Sequence, residues 1–169
     1  AIFYFGRVNF YREKIFSISH DSEGSPSIAR ISNTNSGGTD SFSNREKIVF
    51  NDELLFSPAV GGGQWKVVRY DGTAITRLSN INDGGQEDAE GLSILGSNLY
   101  FQARNSSNDD VIFRTNGTDE LVQISNTNPS GDDDVRGSFI HRLGDEILFV
   151  SQTNSSVTKL FRTDGQNVF

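Results

Sequence analysis

The sequence predicts an all-β protein built from tandem units of about 46 residues, on three observations. Ile31-Ser32-Asn33-Thr34-Asn35 returns as Ile124-Ser125-Asn126-Thr127-Asn128, 93 residues on, with Leu78-Ser79-Asn80-Ile81-Asn82 midway. An arginine two residues before an Asp-Gly or Asn-Gly pair occurs three times, at Arg69, Arg114 and Arg162. Finally, 21 Ser, 17 Gly and 15 Asn make nearly a third of the 169 residues turn-formers, against 13 Phe, six Ala and no Met. That mixture favours short strands joined by polar turns, and no segment carries a 3.6-residue apolar stripe.

The elements follow in chain order. Apolar triads end in Phe at Phe16, Phe56, Phe101 and Phe149, spaced 40, 45 and 48 residues apart. They predict hairpins near 7–18, 45–57, 91–103 and 137–151. Within a unit the apolar runs predict strands at 111–115, 120–125, 138–143 and 146–151, running together as in strands covered on both faces. Asp-Gly and Asn-Gly favour primed turns, so each Arg-x-Asp/Asn-Gly is expected to close a tight hairpin between the third and fourth strands. Four-stranded units of this length in tandem are the signature of β-propeller blades. The prediction is therefore a single propeller over 1–169, with four blades of four-stranded antiparallel sheet. Phe169 lies 48 residues after Leu121, where a fourth strand would begin. The apolar Ala1, Ile2, Phe3, Tyr4 and Phe5 have no unit of their own, and Ser27–Ser32 stands where later units use two strands. The two termini are thus expected to complete one blade jointly, or to meet those of a neighbouring copy. Ala1–Phe5 and Asn167, Val168 and Phe169 are the expected inter-unit contacts.

The run hydrophobe-hydrophobe-Arg-x-Asp-Gly-Thr, then a Leu, an Asn-rich loop and Leu99-Tyr100-Phe101, resembles bacterial surface repeats named for an ELWxxDGT motif. It is similar also to TolB-like propeller repeats. The Leu-Trp pair of the first family is Val67-Val68, Ile112-Phe113 or Leu160-Phe161 here. The resemblance implies a β-propeller and, since many such repeats have no assigned activity, carries fold further than function.

A net charge of −7, without a basic run, argues against nucleic acid as a partner. No apolar stretch is long enough for membrane insertion as a helix, and with no Cys there is no disulfide or thiolate chemistry. The recurring polar loop is Asn33, Asn35, Asp40 in one copy, Asn80, Asn82, Glu87 in the next and Asn126, Asn128, Asp133 in the third. Oxygen-bearing side chains at alternate positions before a glycine resemble the opening of a calcium loop. The same residues also cap turns by bonding their own backbone, and the bidentate glutamate of an EF-hand is missing. The expectation is turn capping and no cofactor, with calcium the alternative these loops suggest. Arg69, Arg114 and Arg162 suit either a ring for an anion or contacts to a neighbouring unit's carboxylate or carbonyl. Trp65, after Gly61-Gly62-Gly63, could stack on a sugar or fill a gap between units.

His20 and His141, the only near-neutral bases, occupy non-equivalent places, and no Gly-x-Ser-x-Gly elbow appears. The expectation is a non-enzymatic structural or adhesive module, extracellular or at a bacterial cell surface. It would associate with itself or occur in tandem copies, as the repeating unit of a fibre joined by strand sharing. The alternative is a lectin-like propeller binding glycans or another ligand on one face. A hydrolase using one of the histidines is the third expectation.

Overall fold

The computed structural model describes residues 2–9, 12–31, 47–60, 64–83, 85–118, 120–154 and 157–169. Its sixteen strands lie in four antiparallel sheets of three or four strands, with one small two-stranded ribbon. The first sheet holds β1 (Ile2–Asn9), β2 (Arg12–His20) and β3 (Pro26–Arg30). The second is β4 (Lys47–Phe50), β5 (Glu53–Phe56), β8 (Val68–Tyr70) and β9 (Ile75–Arg77), interrupted in sequence by the ribbon β6 (Ala59–Val60) and β7 (Gln64–Trp65). The third is β10 (Glu90–Leu95), β11 (Asn98–Arg104), β12 (Asp110–Thr115) and β13 (Val122–Gln123). The fourth is β14 (His141–Leu143), β15 (Glu146–Gln152) and β16 (Thr158–Thr163). Beside β16, Val168 bridges Thr163, and Phe169 and Arg162 exchange backbone hydrogen bonds. Among the described residues there is no α-helix, and so none long and apolar enough to cross a membrane.

In the second, third and fourth sheets the first turn is two residues long. Asn51 and Asp52, between the paired Phe50 and Glu53, both have positive φ (52° and 62°), as a type I′ turn requires. The Asp-Gly turns differ from the primed hairpins expected. Tyr70 pairs with Ile75, leaving a four-residue loop. Asp71 closes it by accepting the N–H groups of Thr73 and Ala74, both at 2.8 Å. Asp164 does the same for Gln166 and Asn167, both at 2.8 Å. In both, these bonds hold the carboxyl below its usual range. The side chain supplies the closure, so a two-residue turn is not needed.

The strand predicted over 138–143 is shorter than expected. A 3-10 turn occupies Gly137–Phe139 and β14 begins only at His141. The cause is packing. Gly91 of β10, with φ +70°, lies against the Gly137 carbonyl, and a Cβ there would collide with it and with Ile140. The chain between the third and fourth sheets is pressed too closely on β10 to pair as a strand.

The sheets pack in chain order. Leu54, Phe56 and Val68 of the second sheet meet Ile31, which follows β3. Leu55 and Phe50 face Leu99, Phe101 and Phe113 of the third. Leu95, Tyr100 and Ile112, on the other side of the third sheet, meet Ile140, Ile147 and Phe149. In Leu54-Leu55-Phe56 and Leu99-Tyr100-Phe101 the outer two side chains therefore face the preceding unit and the middle one the following sheet, as the alternation of a strand demands. The cross-strand pairs Phe101–Phe113 and Phe149–Phe161 stack with ring centroids 6.2 and 5.7 Å apart. Two of the three motif arginines join units: Arg69 Nη1 donates to the Gly117 carbonyl at 2.9 Å, and Arg114 Nη1 to the Gly165 carbonyl at 2.5 Å. Each reaches the Gly of the next unit's turn.

Candidate functional site

The polar loops that precede β10 and β14 are tied by their acidic residue. Glu87, fully buried, accepts the Ile81 N–H with Oε1 at 2.8 Å and the Ser79 hydroxyl with Oε2 at 2.5 Å. Lys66 Nζ, equally buried, completes the site at 2.6 Å. In the next unit Asp133 Oδ1 accepts the Asn128 N–H at 2.8 Å. The amides of Asn82 and Asn128 donate to the backbone carbonyls of Gln86 and Asp132, at 3.3 and 2.8 Å. These are turn-capping contacts, and Asn80 and Asn126 lie exposed beside them. Asn33, Asn35 and Asp40 lie outside the described residues, as does Ala1. Among the described residues no three His, Cys, Asp or Glu side chains are grouped to hold a metal.

After each acidic residue the backbone turns left-handed, at Asp88 (φ 47°) and Asp134 (φ 44°). Their carboxylates engage the last residues of the sheets' long second strands. Arg104 Nη1 lies 2.8 Å from Asp88, and Gln152 donates to Asp134 at 2.5 Å. Between them a cleft of about 350 Å³ opens, lined by Asp88, Glu90, Arg104, Asp110, Asp134 and Arg136 among others. Asp110, at the start of β12, is its central group. It accepts from Gln102 at 2.7 Å and faces Arg104 Nε at 3.4 Å. Burial pushes its carboxyl up to about 6; Arg104 opposes the shift, and Asp132, Asp134 and Asp88 add to it. The cleft thus offers carboxylate acceptors, guanidinium and amide donors, and one group that exchanges a proton near neutrality. Such a surface matches a polyhydroxylated or cationic ligand.

The other sequence candidates are dispersed. Trp65 is half-buried on β7, its carbonyl accepting the Ala89 N–H at 3.2 Å. His20 ends β2 in the first sheet and His141 opens β14 in the fourth; both are exposed. Ile2, Phe3, Tyr4 and Phe5 pair along β1 with Ile18, Ser17, Phe16 and Ile15 of β2. Asn167–Phe169 run beside β16 at the other end of the chain. Asp110 escaped the sequence reading because what shifts it, burial and the neighbouring Asp132, Asp134 and Asp88, is set by packing and not by its local sequence. Lys66 carried a signal: it is the one charge in Trp65-Lys66-Val67-Val68, and a buried lysine needs an acid.

Comparison of the chain with protein-family models, curated proteins and solved structures gives no match.

Proposed function

We propose that the chain is a β-propeller repeat module whose four sheets act as blades, with a non-enzymatic structural or adhesive role outside the cell or at its surface. One observation carries the assembly part of this reading. Leu95 and Ile112 of the third sheet are 9% and 0% exposed because the fourth sheet covers them. Leu143 and Leu160, 48 residues later in the same positions, are 64% and 68% exposed. At the other end Ile28 of β3 is 68% exposed, on the side where a preceding sheet would pack. A fully buried Leu contributes about 1.5–3 kcal/mol, so covering these faces is strongly favoured.

The cover proposed is a further copy of the same unit, whose first sheet docks head to tail on the fourth. Such a contact is heterologous and propagates. The strand begun by Asn167–Phe169 and the edge strand β1 would extend it by main-chain pairing. Light scattering over a range of concentrations tests this. Oligomers that grow with concentration and disappear in Leu160→Asp are expected. A monomer in which cysteines at 28 and 160 crosslink within one chain would replace the assembly by a closed four-bladed ring. A monomer with both cysteines freely reactive would refute both.

A second reading, a glycan-binding propeller, draws on the acidic cleft. Titration with oligosaccharides at pH 5 and 8, in the native protein and Asp110→Asn, tests it. Binding that the variant loses would favour it, and no binding at millimolar ligand would dismiss it.

A further inference from the structure

The loops before β10 and β14 share three hydrogen bonds and differ around their carboxylates. Val67 N–H donates to the Ser79 hydroxyl and Ile112 N–H to that of Ser125, at 2.8 and 2.9 Å. Gly85 N–H donates to the Asn82 carbonyl and Gly131 N–H to that of Asn128, at 3.2 and 3.0 Å. Arg104 N–H donates to the Glu87 carbonyl and Gln152 N–H to that of Asp133, both at 2.6 Å. These pairs set Lys66 opposite Val111 and Glu87 opposite Asp133. In the first loop Lys66 Nζ bridges Glu87 Oε1 and the Asn82 carbonyl, at 2.6 and 3.1 Å, and the Ser79 hydroxyl donates to Oε2. In the second, valine supplies no ammonium. Asp133 is 2% exposed, and its Oδ2 is the one buried side-chain polar atom without a partner among the described residues. An uncompensated buried carboxylate is costly. Valine for lysine and aspartate for glutamate also leave less side chain to fill the equivalent space.

We propose that a hard, oxygen-ligated cation sits beside the Asp133 carboxylate, with the Asn128 carbonyl as a second ligand, and supplies the positive charge that the Lys66 ammonium supplies one unit earlier. Hard cations take carboxylate and carbonyl oxygens, and the remaining ligands would be water. The proposal is independent of the propeller reading, and it separates two loops that look alike in sequence: the first carries its own cation.

The test uses the full chain, freed of metal and held in a choline buffer, with Ca²⁺, Na⁺ or K⁺ added separately. One of the three is expected to raise the unfolding midpoint by about 5 °C or more at a hundredfold excess over its Kd. Val111→Lys, which restores the ammonium, is expected to remove that response while keeping the strand signal in circular dichroism. Asp133→Asn, nearly isosteric, is expected to remove it as well. Lys66→Met would create a second cation response. A midpoint that none of the three cations moves, or a response undiminished in Val111→Lys and Asp133→Asn, would overturn the proposal.

Discussion

The third and fourth sheets are built from equivalent residues and meet different fates. Ile112 and Leu160 occupy the same place on strands that pair with the same register, yet one is sealed and the other largely in solvent. Arg114 reaches the next unit's glycine carbonyl. Arg162, its counterpart, turns back to Glu146 and covers the Phe169 ring at 4.7 Å. Burial in a repeat is thus a property of the neighbour, not of the position. The polar loops before β10 and β14 teach the same lesson about charge, since Glu87 has a lysine and Asp133 does not.

Four measurements would break or sharpen that comparison. The largest effect is expected for Lys66→Met, which leaves Glu87 charged and buried; a loss of about 3–5 kcal/mol in urea denaturation is expected. A loss under 1 kcal/mol would mean that Glu87 does not depend on its partner. Next, Ile112→Ala is expected to cost about 2–5 kcal/mol, whereas Leu160→Ala, in dilute protein, should stay within about 0.5 kcal/mol. Equal costs would show that the fourth sheet is already covered. Third, Arg114→Ala should cost about 1.5–3 kcal/mol through its charge-assisted bond between units, and Arg162→Ala, half exposed, no more than about 1 kcal/mol.

The smallest effect concerns Asp110. Its carboxyl is raised to about 6 in the folded state, above the ordinary value of about 3.9 for an unfolded chain. The native state therefore binds the proton more tightly, and this group's contribution to stability declines as pH rises from about 4 to 6, then levels. Because the group is partly solvated, the decline should be on the order of 1 kcal/mol. It is read as the difference between native protein and Asp110→Asn, which lacks the titration. A difference independent of pH would remove Asp110 from the cleft's proton chemistry.

Much of the fold was legible because it is local. The triads ending at Phe56, Phe101 and Phe149 mark β5, β11 and β15. The Arg-x-Asp/Asn-Gly phrase places the ends of β8, β12 and β16 for the same reason. The strand expected at 138–140 failed because the deciding contact, Gly91 on Gly137, spans 46 residues. The cleft was hidden more completely, since Asp88, Arg104, Asp110 and Asp134 look like ordinary surface charges until two sheets converge.

Strand position, alternation and turn chemistry were thus settled within a few residues of chain, where propensity and side-chain capping act. Which leucine is covered, which carboxylate is paired and which aspartate holds its proton were settled only when the sheets packed. Desolvation and charge pairing depend on what lies across the gap, and groups that meet there, such as Lys66 and Glu87 or Asp110 and Asp134, lie more than twenty residues apart in the chain.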